Sequence, residues 1–310
     1  MTALLRPPAL EPGATIGVAA ISGPVDADRL AAGIAVLERK GYRVVRAGNL
    51  ASRRAFLAGT DAERADGYRE LLRNKDVDAI FFARGGYGAT RLLSRLDPEE
   101  VRARPRIHLG GSDLTALFAF LAGRCGLATF YGPMVATGIA AEEGLDWEDV
   151  LRGVAPAPHR VAPGDVLAGG LGEGPLVGGC LSILASLCGT PDAVPGRNAV
   201  LFWEDVNEET YRLDRMLTQL EASGTLDGLH AMLIGSISPG PRTGESPGTV
   251  DAWLRDRFAG APFPVVRGLP AGHVARPRTL PLGLPVRVDT DAGVVEFAGP
   301  AVAREPSWPA

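Results

Sequence analysis

The sequence predicts an α/β protein whose first half is a parallel sheet with helices on both faces. Three observations carry this reading. Short apolar runs alternate with stretches of helical period through the first half. Two of those runs end in glycine-rich corners, Arg84-Gly85-Gly86-Tyr87-Gly88 and Gly110-Gly111. A stretch rich in Pro, Gly and Ala, Arg152 to Pro175, then separates a second and shorter-stranded half. Strand–helix alternation of this kind implies a parallel sheet, and ligands of such sheets bind beyond the carboxyl ends of the strands.

Thr15–Ala20 reads as the first strand, and a Ser-Gly-Pro turn at 22–24 follows it. Asp26 to Lys40 has Leu30, Ile34 and Leu37 at helical spacing, acidic residues first, Lys40 last and Gly41 as the stop. Tyr42–Arg46 is a second strand. Thr60 and Glu63 have the spacing of a capping box and open a helix that reaches Asn74. Val77–Ala83 is a buried strand that runs into the Arg84–Gly88 corner, with a helix expected over 89–96. Ile107 and Leu109 then lead through Gly110, Gly111 and Ser112 into a helix with Leu114, Leu117, Phe118 and Leu121 on one face.

The second half reads as Leu176–Gly179 entering a helix over 181–188, then a strand Ala199–Trp203 that ends at Glu204-Asp205. Leu213, Met216, Leu217 and Leu220 mark a helix, Ala231–Ile237 a strand, and 238–248 a mobile loop. A helix over Val250–Phe258, a strand over Pro264–Gly268 and a hairpin over Val286–Phe297 complete it. The expected organisation is one domain over 1–152, a linker over 153–175 and a second domain over 176–310.

Composition narrows the function classes. Of 310 residues, 46% are hydrophobic and 22% charged, which describes a globular chain with a real core. A net charge of −4 gives no electrostatic case for nucleic acid or for an anionic membrane. Cys125, Cys180 and Cys188 form no C-x-x-C, so neither a disulfide framework nor a zinc site is indicated. The N-terminus has no long apolar segment, and no run reaches the roughly 18 apolar residues of a membrane span. A cytoplasmic protein is expected.

Ser112 is the residue around which the chemistry is arranged. A serine on a tight strand-to-helix corner stands above free N–H groups and the positive end of a helix dipole. That is the mechanics of a nucleophile elbow, although the final glycine of G-x-S-x-G is missing. The same serine also reads as an ordinary helix N-cap. The Arg84–Gly88 corner lacks the lysine of a phosphate loop. It is a tight turn, or else a backbone N–H aimed at a charge beside Ser112. A serine nucleophile needs a base, and the base needs an orienting carboxylate. His108 lies inside a strand and reads as packed, while His159 and His230 read as structural or solvated. His273 follows Pro270-Ala271-Gly272 in a loop that leaves a strand. Glu204 is the best placed carboxylate. Asp205 points the other way along the strand and is expected to cap the segment after it, and the helix dipole accounts for Asp113.

Six stretches then resemble the LD-carboxypeptidase family of serine peptidases, which also contains the microcin-immunity amidases. They are LAGTDAERA (57–65), DAIFFARGGYGATRLL (78–93), GGSDLTAL (110–117), GPLVGGCLSILASLCGTP (174–191), LFWEDVNEETYRLDRMLTQL (201–220) and GLPAGHVARPRTLPLG (268–283). They run in family order across nearly the whole chain. The resemblance implies Ser112 as nucleophile, Glu204 as orienting acid and His273 as base, without metal or cofactor. It implies an oxyanion hole built from the backbone N–H groups near Gly86 and of Asp113. It also implies a parallel α/β domain joined to a smaller, β-rich α/β domain, with the site between them, and a homodimer. Three positions depart from the family pattern: Gly111 is usually aromatic, Cys180 usually asparagine and Tyr131 usually histidine.

The implied substrate is a murein peptide with a free carboxylate, for which Arg84, Arg215 and Arg276 are the candidate binding residues. An aminoacyl-nucleotide amidase is the alternative within the family, and a non-catalytic peptide-binding protein the alternative outside it. Between Glu204 and His273 the aromatic residues are Tyr211, Trp253, Phe258 and Phe263, and the last three read as core. This favours the peptide over a stacked adenine.

Overall fold

The computed structural model describes residues 4–141, 144–240 and 247–303. The first half contributes β1 (Thr15–Ala19), α1 (Ala27–Arg39), β2 (Arg43–Arg46), α2 (Asp61–Arg73), β3 (Ala79–Phe82), α3 (Pro98–Ala103), β4 (Ile107–Gly110), α4 (Thr115–Phe120), β5 (Thr129–Tyr131) and α5 (Trp147–Leu151). The second half begins with β6 (His159–Arg160), β7 (Val166–Ala168), β8 (Leu171–Cys180), α6 (Leu181–Leu187) and β9 (Val200–Glu208). It continues through α7 (Thr210–Ala222), β10 (Ala231–Pro239), α8 (Pro247–Phe258), β11 (Val265–Val266), β12 (Leu280–Leu282), β13 (Pro285–Asp289) and β14 (Val294–Phe297).

The first sheet has the order β12-β5-β4-β3-β1-β2. Strands β1 to β5 are parallel to their neighbours, as the alternation of elements requires, and β12 pairs antiparallel with β5. Local chemistry explains the helices between them. Asp26 caps α1 by accepting from the Arg29 N–H at 2.9 Å, and the capping box of Thr60 and Glu63 closes both ways at the start of α2. Isolated helices of this length are marginal in water, so packing decides. Leu30, Ile34 and Leu37 of α1 are buried.

The second sheet has the order β6-β14-β13-β8-β9-β10-β11-β7. Its centre, β8 to β11, is parallel, and antiparallel strands flank it. Residues 153–175, read from sequence as an aperiodic crossing, supply β6, β7 and the start of β8. Strands β6 and β7 are the two edges of the sheet, where short length is tolerated because one side of the ladder faces no partner. Strand β9 also runs further than its apolar residues, because Asp205, Val206 and Glu208 still pair with β10 across bulges. Of the stretch read as a mobile loop, 238–248, residues 241–246 lie outside the described residues. The helix expected over 89–96 is a run of 3₁₀ turns, Ala89–Arg95.

One apolar core runs through both halves. Ile16, Phe81, Leu109 and Phe130 of the first sheet share it with Leu176, Phe202, Leu233 and Val286 of the second. A smaller cluster beneath α6, α7 and α8 includes Leu184, Trp203, Leu217 and Leu254. Alternation along β9 sends Val200 and Phe202 to the first cluster and Leu201 and Trp203 to the second. The same alternation sets the direction of Glu204, on the face turned toward the first half. Among the described residues no helix is long and apolar enough to cross a membrane.

Candidate active site

Strand β4 ends at Gly110, and the chain turns through Gly111 to Ser112 before the first helical turn. Ser112 has φ +59, one of only four non-glycine residues with positive φ among those described. The left-handed region costs an ordinary residue about 1–2 kcal/mol, so surrounding contacts must hold it there. Three do. The Ser112 N–H donates to the Tyr131 hydroxyl at 2.8 Å, and the Thr115 hydroxyl donates to the Ser112 carbonyl at 2.7 Å. Gly85 packs so closely that a Cβ added to it would stand 2.8 Å from the Ser112 Cβ. The Arg84–Gly88 corner therefore lies directly against the serine.

Glu204 is fully buried at the middle of β9, beside Cys180 of β8. Its carboxylate accepts three hydrogen bonds. Oε1 takes the Tyr131 hydroxyl at 2.6 Å, and Oε2 takes the His273 backbone N–H at 3.1 Å and ring Nδ1 at 2.7 Å. A carboxylate only accepts, so Nδ1 carries the proton, and in the neutral ring Nε2 is left with its lone pair. Gly272 allows this approach: it has φ +99, and a Cβ there would meet Glu204 Oε2 at 2.4 Å. The His273 side chain is 28% exposed and that of Glu204 not at all. Burial disfavours the charged imidazolium. The hydrogen bond and charge of Glu204, with the charge of Asp205, outweigh it and leave the His273 pKa above the ordinary value.

The other acids near the corner have structural work. Asp113 is buried, and its Oδ2 accepts from the Ser22 hydroxyl at 2.5 Å and the Ala89 N–H at 2.8 Å. Burial raises its pKa against those bonds. It ties the turns after β1 and β3 to the corner after β4. Asp205 points away from Glu204, as strand alternation requires, and it caps backward onto α6 as well as holding the residue after it. Its carboxylate accepts from the Ser182 N–H in the first turn of α6 and from the Val206 N–H, both at 2.8 Å. Among the described residues no hydrogen bond takes the backbone N–H of Asp113 or of Gly86.

The remaining histidines are occupied elsewhere. His108 is buried between the Tyr68 hydroxyl and the Arg106 carbonyl, and burial pushes its pKa down to about 4. His159 sits on edge strand β6, and His230 bonds the Glu173 carbonyl at 2.6 Å. Arg84 braces the corner, with Nε on the Gly85 carbonyl and Nη1 on the Pro24 carbonyl, each at 3.2 Å. Arg215 stacks over the Tyr211 ring at 5.6 Å, and Arg276 lies on the exposed loop three residues past His273.

Family models for the N-terminal and the C-terminal domain of LD-carboxypeptidases match residues 16–132 and 173–288. The chain belongs to the LD-carboxypeptidase family. A carboxypeptidase-named protein of Streptomyces coelicolor is 41% identical over 314 residues, 97% of this chain and 99% of its own. The muramoyltetrapeptide carboxypeptidase of Oxalobacter formigenes, a solved structure, superposes with a TM-score of 0.78 at 31% identity over 91% of this chain and 97% of that one. MccF, the microcin C7 self-immunity protein of Escherichia coli, is 28% identical over 323 residues, 90% of this chain and 91% of its own. A structure of MccF in complex with glutamyl sulfamoyl guanosine superposes with a TM-score of 0.86 at 25% identity, covering 96% and 100%. Membership makes the protein a serine carboxypeptidase, a hydrolase.

Within this LD-carboxypeptidase the sequence motifs singled out Ser112, Glu204 and His273, and flagged Tyr131 only as a departure from the family pattern, without the contacts it makes between them. Tyr131 bridges the serine to the acid. Thr115 ties the elbow to the second half, because its hydroxyl also accepts from the Cys180 N–H at 2.9 Å. The available signal for Tyr131 was positional: it ends β5, directly opposite Gly110 of β4.

Proposed function

We propose that this protein hydrolyses the L,D-amide bond of a cytoplasmic murein tetrapeptide and releases the terminal D-alanine. Ser112 Oγ attacks the carbonyl carbon while His273 Nε2 takes its proton. Glu204 holds the imidazole in the required tautomer and stabilises the imidazolium that forms. The N–H groups of Asp113 and Gly86 receive the oxyanion. His273 then returns the proton to the leaving amine of D-alanine, and water, deprotonated by the same imidazole, releases the acyl-enzyme.

The observation that carries this reading is the strained Ser112 corner, joined through Tyr131 to a buried Glu204 that also grips His273 Nδ1. Of the three candidate arginines, Arg84 is the one braced beside Gly85, and we assign it the substrate carboxylate. The test is D-alanine release from a purified tetrapeptide, run beside cleavage of an aminoacyl-sulfamoyl adenosine. Release of D-alanine is the expected result. Efficient cleavage of the nucleotide with no D-alanine released would transfer the protein to the amidase branch of the family.

A further inference from the structure

We infer that Tyr131 is a positioning residue that sets both the nucleophile's backbone and the strength of the Glu204–His273 pair. This rests on the proposed roles of Ser112, Glu204 and His273. The Tyr131 hydroxyl has one proton to give and lone pairs to accept with. A carboxylate offers no proton, so the hydroxyl donates to Glu204 Oε1 at 2.6 Å and accepts the Ser112 N–H at 2.8 Å. Tyr131 is 2% exposed and its ring packs edge-on against Phe202 at 5.4 Å. The phenol has no freedom to serve one partner without the other.

This arrangement acts on the chemistry in two ways. First, the N–H of the nucleophile is engaged by a side chain and is withdrawn from oxyanion duty. The bond that withdraws it also steadies a serine held at φ +59. Second, a donor on Oε1 draws charge away from the oxygen that faces His273. The pull of Glu204 on the imidazolium is weaker with Tyr131 than without it. Because Tyr131 ends β5 of the first sheet and Glu204 lies on β9 of the second, this bond fixes the acid of one half against the nucleophile of the other. The titratable groups facing this contact are His273 and Cys180 at the end of β8, and Asp205, on the opposite face of β9, reaches His273 through its charge alone. Burial pushes the Cys180 thiol well up, so it stays neutral.

The decisive variant is Tyr131→Phe, which keeps the ring and removes only the hydroxyl. It should lower kcat about 10–100-fold, the range expected for a lost hydrogen bond to a charged group. KM for the tetrapeptide should stay within about twofold, since Tyr131 does not touch substrate. The acid limb of the kcat/KM profile should move to higher pH, because Glu204 then holds the imidazolium more strongly. A monofluorinated tyrosine at 131 keeps both bonds and donates more strongly, so it should move the same limb to lower pH. A folded Tyr131→Phe with wild-type kcat overturns the proposal, as does a lower kcat with an unmoved limb. Should Tyr131→Phe fail to fold, the fluorinated protein decides alone, and an unmoved limb is then the contrary result. Ser112→Ala separates the two levels. If it stays active the parent assignment fails, whereas an inactive Ser112→Ala beside an unaffected Tyr131→Phe removes only the role of the tyrosine.

Discussion

Ser112 and His273 are each held in a state that an isolated residue would not choose. Ser112 sits in a left-handed backbone region, and His273 is drawn toward the charged form by Glu204 in spite of burial. The raised pKa has a definite sign. The ion pair adds to folding stability below the ordinary histidine value, and that contribution is lost as pH rises through the raised one. In the proposed role of base His273 must be neutral to act, so the acid limb of kcat/KM should lie above the ordinary histidine value of about 6.5. Glu204→Gln removes the larger raising causes and leaves burial against the charge of Asp205 alone, so the limb should fall to lower pH while the rate drops strongly. A limb that does not move in a pH series on the two proteins would remove Glu204 from the site. Asp205→Asn tests the neighbour. Its bonds run to Ser182 and Val206, so it should lower the melting temperature by a few degrees with turnover largely kept. Arg84→Gln should raise KM for a peptide with a free terminal carboxylate more than for the same peptide amidated. Equal changes would show that Arg84 only braces its loop.

At the level of elements, the proposed site joins the corner after β4, the middle of β9 and the loop after β11. Two residues of the proposed site were singled out in the sequence because each follows a glycine: Ser112 after Gly111 at the end of β4, and His273 after Gly272 in the loop beyond β11. The capped helices α1 and α2 and the final hairpin were legible for similar local reasons. Cap residues, helical period and the hairpin turn at Asp291-Ala292-Gly293 act over a few residues and need no tertiary knowledge. The edge strands β6 and β7 were not legible, since at two and three residues they are too short to show a period, and prolines and glycines flank them. The polar end of β9 was hidden as well, because a ladder with β10 sustains it where hydrophobic period fails. Tyr131 was legible only as a departure from the family pattern; its bridging contacts were not, because its partners lie after β4 and on β9, remote in sequence. Close packing of elements yields its own test. Gly85→Ala would place a Cβ 2.8 Å from that of Ser112, so the nucleophile or the corner must shift. A misplacement near 1 Å costs roughly 100-fold in rate. Gly85→Ala should therefore fold, by circular dichroism, and lose about two orders of magnitude in turnover. Near-normal turnover would mean that the corner after β3 is not part of the site.

Across the whole molecule the two sheets are interlocked. Strand β12 comes from the second half yet closes the first sheet on β5, and one apolar core spans both. Residues 1–152 expressed alone would leave the β5 edge open and lack Glu204 and His273, and residues 153–310 would lack Ser112. Neither piece should release D-alanine. Activity from either piece alone would contradict a site shared between the halves. The most direct measurement remains the rate of D-alanine release from the tetrapeptide by Ser112→Ala beside the wild-type protein. Loss of nearly all turnover, down to a residual of ~10³–10⁴-fold over water, is the predicted result for removal of the nucleophile. A folded Ser112→Ala that keeps a tenth of the wild-type rate would contradict the assignment of Ser112, and with it the mechanism.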